Sequence, residues 1–300
     1  MYNIKSIIKS GVPLLLEGPT GVGKTYMIME LAREQGKTLH VINVSGELTV
    51  DTILGRDTLV DGTVFWQDGT LTNAIRKGDW VLFDELNTAL PEVLTVINGL
   101  LDDSRSITLP NAEAERITAP EEFRFIATQN PSSGAYAGTA RLNDALLNRM
   151  VKVNLSYLSY DEEMKALKKH TSLSDSTVLS LVKMADYTRN NMDDPLSTRD
   201  LVKILRLKEQ GGLSLRDSIS TVVLSRYSDD EYRKLYDCHS SIMRDIRDIT
   251  GDESKDPFED IKAQYKELKE KERALEEEKA DLRSAVKREL LQELLVAKEV

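Results

Sequence analysis

Residues 14–31, LLLEGPTGVGKTYMIMEL, contain the pattern that decides the fold. Three leucines form an apolar run, a glycine-rich turn follows, and a helical pattern begins at the lysine and threonine. The turn from Gly18 to Thr25 has the spacing G-x-x-x-x-G-K-T. An apolar strand before this motif and a helix after it distinguish a phosphate-binding loop from an ordinary glycine-rich surface turn. We therefore predict a loop that surrounds a chain of phosphates.

The residue types of this loop indicate its chemistry. Glycines let the backbone turn its N–H groups inward, and the start of the helix adds the positive end of its dipole. Lys24 is predicted to reach the β- and γ-phosphates of ATP, and the Thr25 hydroxyl to bind Mg²⁺. The predicted nucleotide contacts are Gly18, Pro19, Thr20, Gly21, Val22, Gly23, Lys24, Thr25 and Tyr26. Because the loop contacts phosphates and not the base, the motif leaves both ATP and GTP open.

Two later strands end in polar residues that fit the same site. WVLFDEL, residues 80–86, contains Asp84 and Glu85, and FRFIATQNP, residues 123–131, contains Asn130. In P-loop enzymes a strand-end aspartate holds Mg²⁺, and an adjacent glutamate can polarise the attacking water. Asn130 would lie between the loop and the acidic strand and orient that water. Alone, the acidic pair could be a solvated turn and the asparagine a turn former; together the three features favour a nucleotide site.

The order of apolar runs and helical patterns predicts the architecture. Candidate strands are VPLLLEG, TLHVINV, DWVLFDE and FRFIATQ, with helical patterns between them. Repeated strand, glycine turn and helix indicate an α/β fold of the P-loop NTPase type, a mostly parallel sheet flanked by helices. The predicted nucleotide-binding domain covers residues 1–155. Residues 156–250 predict an all-helical lid, and residues 251–300 predict a long, charged C-terminal helix.

Two segments outside these strands predict β-hairpins. An Asp61-Gly62 turn separates two short strand-like runs, and residues 105–123 have a similar pattern. Asp-Gly is a common turn of two-residue hairpins. Phe65 and Trp66 are candidates for gripping a substrate, although packing beneath the hairpin is the preferred interpretation.

Composition limits the location and the partners of the chain. It has 300 residues, a formal net charge of −10 and one cysteine, Cys238. A single cysteine excludes an intrachain disulfide and, without a secretory signal, favours a cytoplasmic location. No run approaches the roughly 18 apolar residues of a membrane span, so we expect no membrane partner. The negative charge disfavours a broad nucleic-acid-binding face but leaves a local basic patch open.

The combined motifs resemble those of the AAA+ ATPases, in the MoxR-like and dynein-related branch. The resemblance rests on GPTGVGKT, LFDELNTALPEVLTVINGLLDD, FRFIATQNP and LNDALLNRM, in that order, and covers about residues 10–205. It implies that Lys24 and Thr25 are the phosphate-loop lysine and its Mg²⁺ ligand. It also implies that Asp84 is the metal aspartate, Glu85 the catalytic glutamate and Asn130 the sensor of the γ-phosphate.

The resemblance assigns roles to two arginines as well. Arg149, in LLNRM, corresponds to an arginine that reaches the nucleotide of a neighbouring subunit, and Arg199, in LSTRDL, to the lid arginine. Members of the family usually have DRF where this chain has NRM, and Arg141 is a rival for the intersubunit role. The plainer alternative for both Arg149 and Arg199 is a capping or surface arginine at a helix end.

We therefore expect a Mg²⁺-dependent ATPase that forms a homo-oligomeric ring, hexameric by resemblance, and remodels or activates a partner protein. The alternative is a nucleic-acid-directed NTPase motor, such as a restriction-system or helicase-loader subunit. A non-catalytic scaffold is a third hypothesis, against which the intact acidic pair argues. For the C-terminal helix, a docking arm for the partner is slightly preferred over a helix folded back on the lid.

Overall fold

A computed structural model describes residues 4–111, 113–131, 142–224, 226–227, 271 and 279 of the chain. The helices are α1 (Ile4–Ser10), α2 (Lys24–Glu34), α3 (Val50–Leu54), α4 (Thr70–Lys77), α5 (Pro91–Leu101), α6 (Asp144–Leu147), α7 (Tyr160–Leu167), α8 (Asp175–Asn191), α9 (Thr198–Glu209) and α10 (Leu215–Leu224). The strands are β1 (Leu14–Glu17), β2 (Leu39–Asn43), β3 (Gly55–Val60), β4 (Thr63–Asp68), β5 (Trp80–Asp84), β6 (Ser106–Thr108), β7 (Arg116–Thr118), β8 (Arg124–Gln129) and β9 (Val151–Asn154). The predicted C-terminal helix lies outside the described residues except for two isolated positions, and Arg141 lies outside them altogether.

In the described part of the chain, the central sheet has five parallel strands in the order β2-β5-β8-β1-β9. Four of these strands, β1, β2, β5 and β8, are those that the apolar runs predict, so the expected α/β fold is confirmed. Strand β9 was not predicted. It is a four-residue edge strand in which only Val153 is buried, so it lacks the continuous apolar run of a strand covered on both faces.

Helices cover both faces of this sheet. Leu14 and Leu16 of β1 belong to a core with Ile28 of α2, whereas Leu15 belongs to a second core with Ile97 of α5. Successive side chains of a strand point to opposite faces, so β1 contributes to both cores in turn. This burial on both sides explains why β1 and β5 are apolar up to the single polar residue at their carboxyl ends.

Both predicted hairpins are present. Strands β3 and β4 are antiparallel with Val60 opposite Thr63, and Asp61 and Gly62 both have positive φ, as a type I′ turn requires. The preferred interpretation of their aromatic residues is right for Trp66, which packs against the core, and wrong for Phe65, which is 55% exposed. Neighbouring residues on a strand face opposite sides, so a two-stranded hairpin over a core cannot bury both.

One arginine joins this hairpin to the second one, β6–β7. The guanidinium of Arg76 on α4 donates from Nε to Asp68 Oδ2 at 2.8 Å. Its Nη1 and Nη2 donate to Glu115 Oε1 and Oε2 at 2.8 and 2.6 Å. Since Asp68 ends β4 and Glu115 directly precedes β7, the two hairpins share one side chain as an anchor.

The chain divides into two compact units. Among the described residues, the first comprises those up to Glu163 together with Ser197–Asp200, and the second comprises those in Met164–Leu196 and from Leu201 onward. Within its described part the second unit is helical, and its core is built by α8, α9 and α10 through residues such as Val178, Ile204 and Ile219. The domain limits 155 and 250 remain predictions.

None of the helices in the described ranges combines the length and the apolar character that crossing a bilayer requires.

Candidate functional site

The glycine-rich loop connects the carboxyl end of β1 to the first turn of α2. Gly21 has φ +81°, and a Cβ there would lie 2.3 Å from Ser197 Oγ. A Cβ on Gly18 would lie 2.5 Å from the carbonyl oxygen of Leu155. Any larger residue at these two positions would therefore push the loop away from the segments that support it.

Lys24 is enclosed by this loop and is only 8% exposed. Its Nζ donates to the carbonyl oxygens of Gly18 and Pro19 at 2.6 and 3.0 Å, and to Asn130 Oδ1 at 2.9 Å. Burial lowers the pKa of the ammonium from 10.5 to about 8, against the opposing effect of the nearby carboxylates. The cation is thus held by neutral acceptors at the point where the loop turns.

Asp84, the last residue of β5, receives two hydroxyl groups on one oxygen. Thr25 Oγ1 donates to Asp84 Oδ1 at 2.8 Å from the first turn of α2. Thr128 Oγ1 donates to the same oxygen at 2.5 Å from the neighbouring strand β8. The carboxylate is therefore fixed from the helix and from the sheet at once.

Glu85 has an unusual backbone conformation for a residue with a side chain. Its φ and ψ are 63° and 45°, in the left-handed region. Such a conformation costs about 1–3 kcal/mol and persists where the surroundings hold it. Here its N–H donates to Thr128 Oγ1 at 3.0 Å, and its Oε1 accepts from Asn130 Nδ2 at 3.4 Å.

Asn130 joins the two halves of the site. Its amide accepts from Lys24 through Oδ1 and donates to Glu85 through Nδ2. This follows from the strand order, because β8 lies between β1, which leads into the loop, and β5, which ends in the acidic pair. The structure thus brings together the loop lysine, Thr25, Asp84, Glu85 and Asn130.

Two residues at the site were not singled out from the sequence. Thr128 is completely buried, and Asn87 is 2% exposed with its Nδ2 3.5 Å from the carbonyl oxygen of Asn130. Asn87 Oδ1 is buried and has no hydrogen-bond partner among the described residues. The available signals were weak: a hydroxyl in an otherwise apolar run, and an asparagine after the acidic pair.

The two predicted arginines lie in different places. Arg199 is beside the loop, since a Cβ on Gly21 would lie 3.5 Å from the Arg199 Cβ, and its charge contributes to the lowered pKa of Lys24. Arg149 instead donates to the carbonyl oxygen of Ala145 at 2.8 Å and forms an ion pair with Asp102.

Arg149 lines a cavity of about 930 Å³ together with Pro13 and Phe123. Pro13 precedes β1 and Phe123 precedes β8, so the cavity lies at the amino ends of these strands. The glycine-rich loop lies at the carboxyl end of β1, four residues further on, or about 13 Å at 3.3 Å per residue. Arg149 is therefore not brought to the phosphate loop of its own chain.

The oxygen ligands fit Mg²⁺ bound together with a nucleotide. A hydroxyl and a carboxylate meet at Thr25 and Asp84, and Mg²⁺ prefers such oxygen ligands, usually with substrate phosphates and water completing its shell. The described residues contain no group of three or more His, Cys, Asp or Glu that would hold a metal by themselves. The donor set thus suits a metal shared with phosphates.

A parallel sheet with this loop after β1, an acidic pair after β5 and a polar residue after the strand between them defines a P-loop NTPase.

The family described as "AAA domain (dynein-related subfamily)" matches residues 13–150. Midasin of Giardia intestinalis is 33% identical over 220 residues, 68% of this chain but only 4% of that protein. An uncharacterized protein of Staphylococcus saprophyticus is 32% identical over 59% of this chain and 68% of its own length. Protein NorQ of Paracoccus denitrificans is 27% identical over 80% of this chain and 86% of its own length. The chain belongs to the AAA+ ATPases, in their MoxR-like and dynein-related branch.

Proposed function

We propose that the chain binds ATP with Mg²⁺ at this site and couples its hydrolysis to the remodelling or activation of a partner protein. The observation that carries the proposal is the hydrogen-bonded series Lys24–Asn130–Glu85 beside the Thr25–Asp84 pair. It places a cation, a polar sensor and a carboxylate within one connected network. This is the set of groups that transfer of a phosphoryl group to water needs.

The proposed roles follow from the chemistry of hydrolysis. Lys24 leaves its loop carbonyls for phosphate oxygens and neutralises their charge, and Thr25 and Asp84 hold the metal. Glu85 accepts a proton from the attacking water, which Asn130 orients. Mg²⁺, if bound by Thr25 and Asp84, would neutralise negative charge on the phosphates. Arg199 contacts the same nucleotide from its position beside the loop.

We also propose that the active form is a closed ring, with six subunits by resemblance to the family. The support is the position of Arg149 at the amino ends of the strands, away from the loop of its own chain. An arginine there can act on a nucleotide only if that nucleotide belongs to another subunit. A catalytic arginine supplied in trans contributes about 10³–10⁵ in rate.

The β3–β4 hairpin supports action on a protein partner. Leu59, Val64 and Phe65 on this hairpin are more than half exposed. Leu59 and Val64 lie opposite each other across the two strands, and an exposed apolar pair of this kind suits contact with an apolar segment of another protein.

The wild-type chain and Glu85→Gln together test the proposal. The wild type should hydrolyse ATP with Mg²⁺ and not with EDTA. Glu85→Gln should bind ATP, lose about 10²–10⁴-fold in rate, and retain a partner in ATP that the wild type releases. Glu92→Gln, which removes an exposed carboxylate on α5, is the matched control and should hydrolyse normally. Hydrolysis by Glu85→Gln at the wild-type rate would refute the role of Glu85, and equal partner retention in ATP and ADP would refute the coupling.

A further inference from the structure

Thr128 connects the two carboxylate-bearing residues of the site through a single oxygen. We infer that Thr128 is a positioning residue: its hydroxyl fixes the carboxylate of Asp84 and the backbone of Glu85 in the geometry that metal binding and water activation use. The inference rests on the proposed function, because it takes Asp84 as the metal ligand and Glu85 as the base. It adds a residue that would contact neither ATP nor metal.

The sheet brings Thr128 to this place. Strands β5 and β8 are parallel neighbours with Phe83 opposite Ala127, so Asp84 and Thr128 follow side by side. Side chains alternate along a strand, and Ile126 belongs to the core on the α2 face, so Thr128 is directed to that face too. The first turn of α2 carries Thr25 to the same place, where its hydroxyl meets Asp84.

The neighbours of the Thr128 hydroxyl allow only one assignment of hydrogen-bond donors and acceptors. The N–H of Glu85 can only donate, so the Thr128 oxygen accepts it at 3.0 Å. A hydroxyl has a single hydrogen, and that hydrogen is directed to Asp84 Oδ1 at 2.5 Å. Because Thr128 is completely buried, water does not compete for either bond. The orientation of the carboxylate and the position of the Glu85 backbone are therefore linked.

The hydrogen bond from the Glu85 N–H to Thr128 helps to hold Glu85 in its strained backbone conformation. A left-handed backbone at φ 63° is retained where surrounding contacts hold it, and the bond from its N–H to Thr128 is such a contact. Loss of the hydroxyl would leave the Glu85 N–H and one side of Asp84 without this partner. The consequence would be a carboxylate oriented by Thr25 but no longer by the sheet, and a glutamate displaced from the attacking water. A displacement of about 1 Å can cost 10²-fold in rate.

The experiment compares Thr128→Val, which keeps the shape and removes the hydroxyl, with Thr128→Ser, which keeps the hydroxyl. Thr72→Val is the matched control, because Thr72 is also completely buried and its hydroxyl donates to the carbonyl oxygen of Leu54 at 2.7 Å. Should Thr128→Val fail to fold in thermal unfolding, Thr128→Ala removes the same hydroxyl without a second methyl group.

Two quantities are measured. The first is the Mg²⁺ concentration needed for half-maximal binding of a fluorescent non-hydrolysable ATP analogue, which does not depend on turnover. Thr128→Val should raise it about 10- to 100-fold, the usual effect of losing a group that orients a metal ligand. The second is ATP hydrolysis, where kcat should fall about 10- to 100-fold with KM changed by less than about threefold. Thr128→Ser should restore most of both losses, and Thr72→Val should show neither.

The inference is overturned if Thr128→Val has the Mg²⁺ requirement and kcat of the wild type. It is equally overturned if Thr128→Ser is as impaired as Thr128→Val, or if Thr72→Val loses as much, since packing or general stability would then account for the effect. If the proposed function itself is wrong, the result is different: the wild-type protein does not hydrolyse ATP, and its binding of the analogue does not depend on Mg²⁺.

Discussion

Lys24 Nζ donates a hydrogen bond to Asn130 Oδ1 at 2.9 Å, across 106 residues of sequence. The bond joins the phosphate loop to the strand that approaches Glu85. A phosphate that draws the ammonium toward itself must therefore compete with Asn130 as well as with two loop carbonyls. Nucleotide binding is therefore expected to replace the hydrogen bond between Lys24 and Asn130 and to change the position of the Asn130 side chain.

Replacing Lys24 should abolish tight nucleotide binding. Lys24→Ala removes a charged hydrogen-bond donor worth about 1.5–3 kcal/mol, so the affinity for ATP should fall about 10- to 150-fold. Lys37→Ala, an exposed lysine after α2, should bind like the wild type. Equilibrium titration with a fluorescent ATP analogue measures both, and unchanged affinity of Lys24→Ala would mean that the loop does not hold the phosphates.

The affinity for ATP should decrease as the pH rises above about 8. Burial lowers the pKa of Lys24 to about 8, whereas bound phosphates would raise it again. Above pH 8 binding must then take up a proton, and the affinity should fall by up to about tenfold per pH unit. Calorimetry at pH 9 in two buffers of different ionisation enthalpy measures this proton, and its absence would contradict the prediction.

The same shift affects stability in a defined direction. Between about pH 8 and pH 10.5 the unfolded chain keeps the proton on Lys24 and the folded chain loses it. Fewer bound protons in the folded state mean that the contribution of Lys24 to stability improves as the pH rises through this window. Chemical denaturation of Lys24→Met should lack this contribution, seen as a smaller gain in the free energy of unfolding over the window.

Arg149→Ala should bind ATP and be nearly inactive alone, with a loss of about 10³–10⁵-fold. Mixed with Glu85→Gln it should regain part of the activity, since some interfaces then pair an intact Glu85 with an intact Arg149. Asp102→Ala separates this role from the ion pair that Arg149 forms within the chain. Equal loss in Asp102→Ala, or full activity of Arg149→Ala, would exclude the intersubunit role and direct attention to Arg141.

Arg76→Ala should loosen both hairpins together. Hydrogen exchange at residues 63–68 and 106–118 should accelerate in parallel, because Asp68 and Glu115 lose their common partner. In Arg76→Lys the two hairpins should be less protected from hydrogen exchange than in the wild type, since lysine cannot make the two-point contact with Glu115. Acceleration in one hairpin alone would show that they are anchored independently.

The pH dependence of this anchor has a definite sign. Hydrogen bonding to Arg76 holds the pKa of Glu115 below its ordinary value of 4.5. The contribution of the pair is therefore present above pH 4.5 and is lost as the pH falls through the lowered pKa. Exchange protection in the two hairpins should be retained at pH 5 and decrease only at more acidic pH.

The sequence predicted the parts of the site that depend on local pattern. The loop, the acidic pair and Asn130 each follow an apolar run, and the ends of parallel strands meet at one edge of a sheet. Thr128 could not be assigned in this way, because its role depends on the register between β5 and β8, which lie about 40 residues apart in sequence. The exposure of Phe65 likewise depends on which hairpin face meets the core.

Strand β8 lies between two cores, and the side chains of its last two residues point to opposite faces of the sheet. Thr128 follows Ile126 toward the α2 side, while Gln129 follows Ala127 toward the other and contacts Glu17 at the start of the loop. A slip of one residue would exchange them and remove the hydroxyl from Asp84. The register between β5 and β8 thus determines both the packing of the two cores and the geometry of the site. A substitution in either core that shifted this register would therefore lower turnover as well as stability, even though it lies far from the nucleotide.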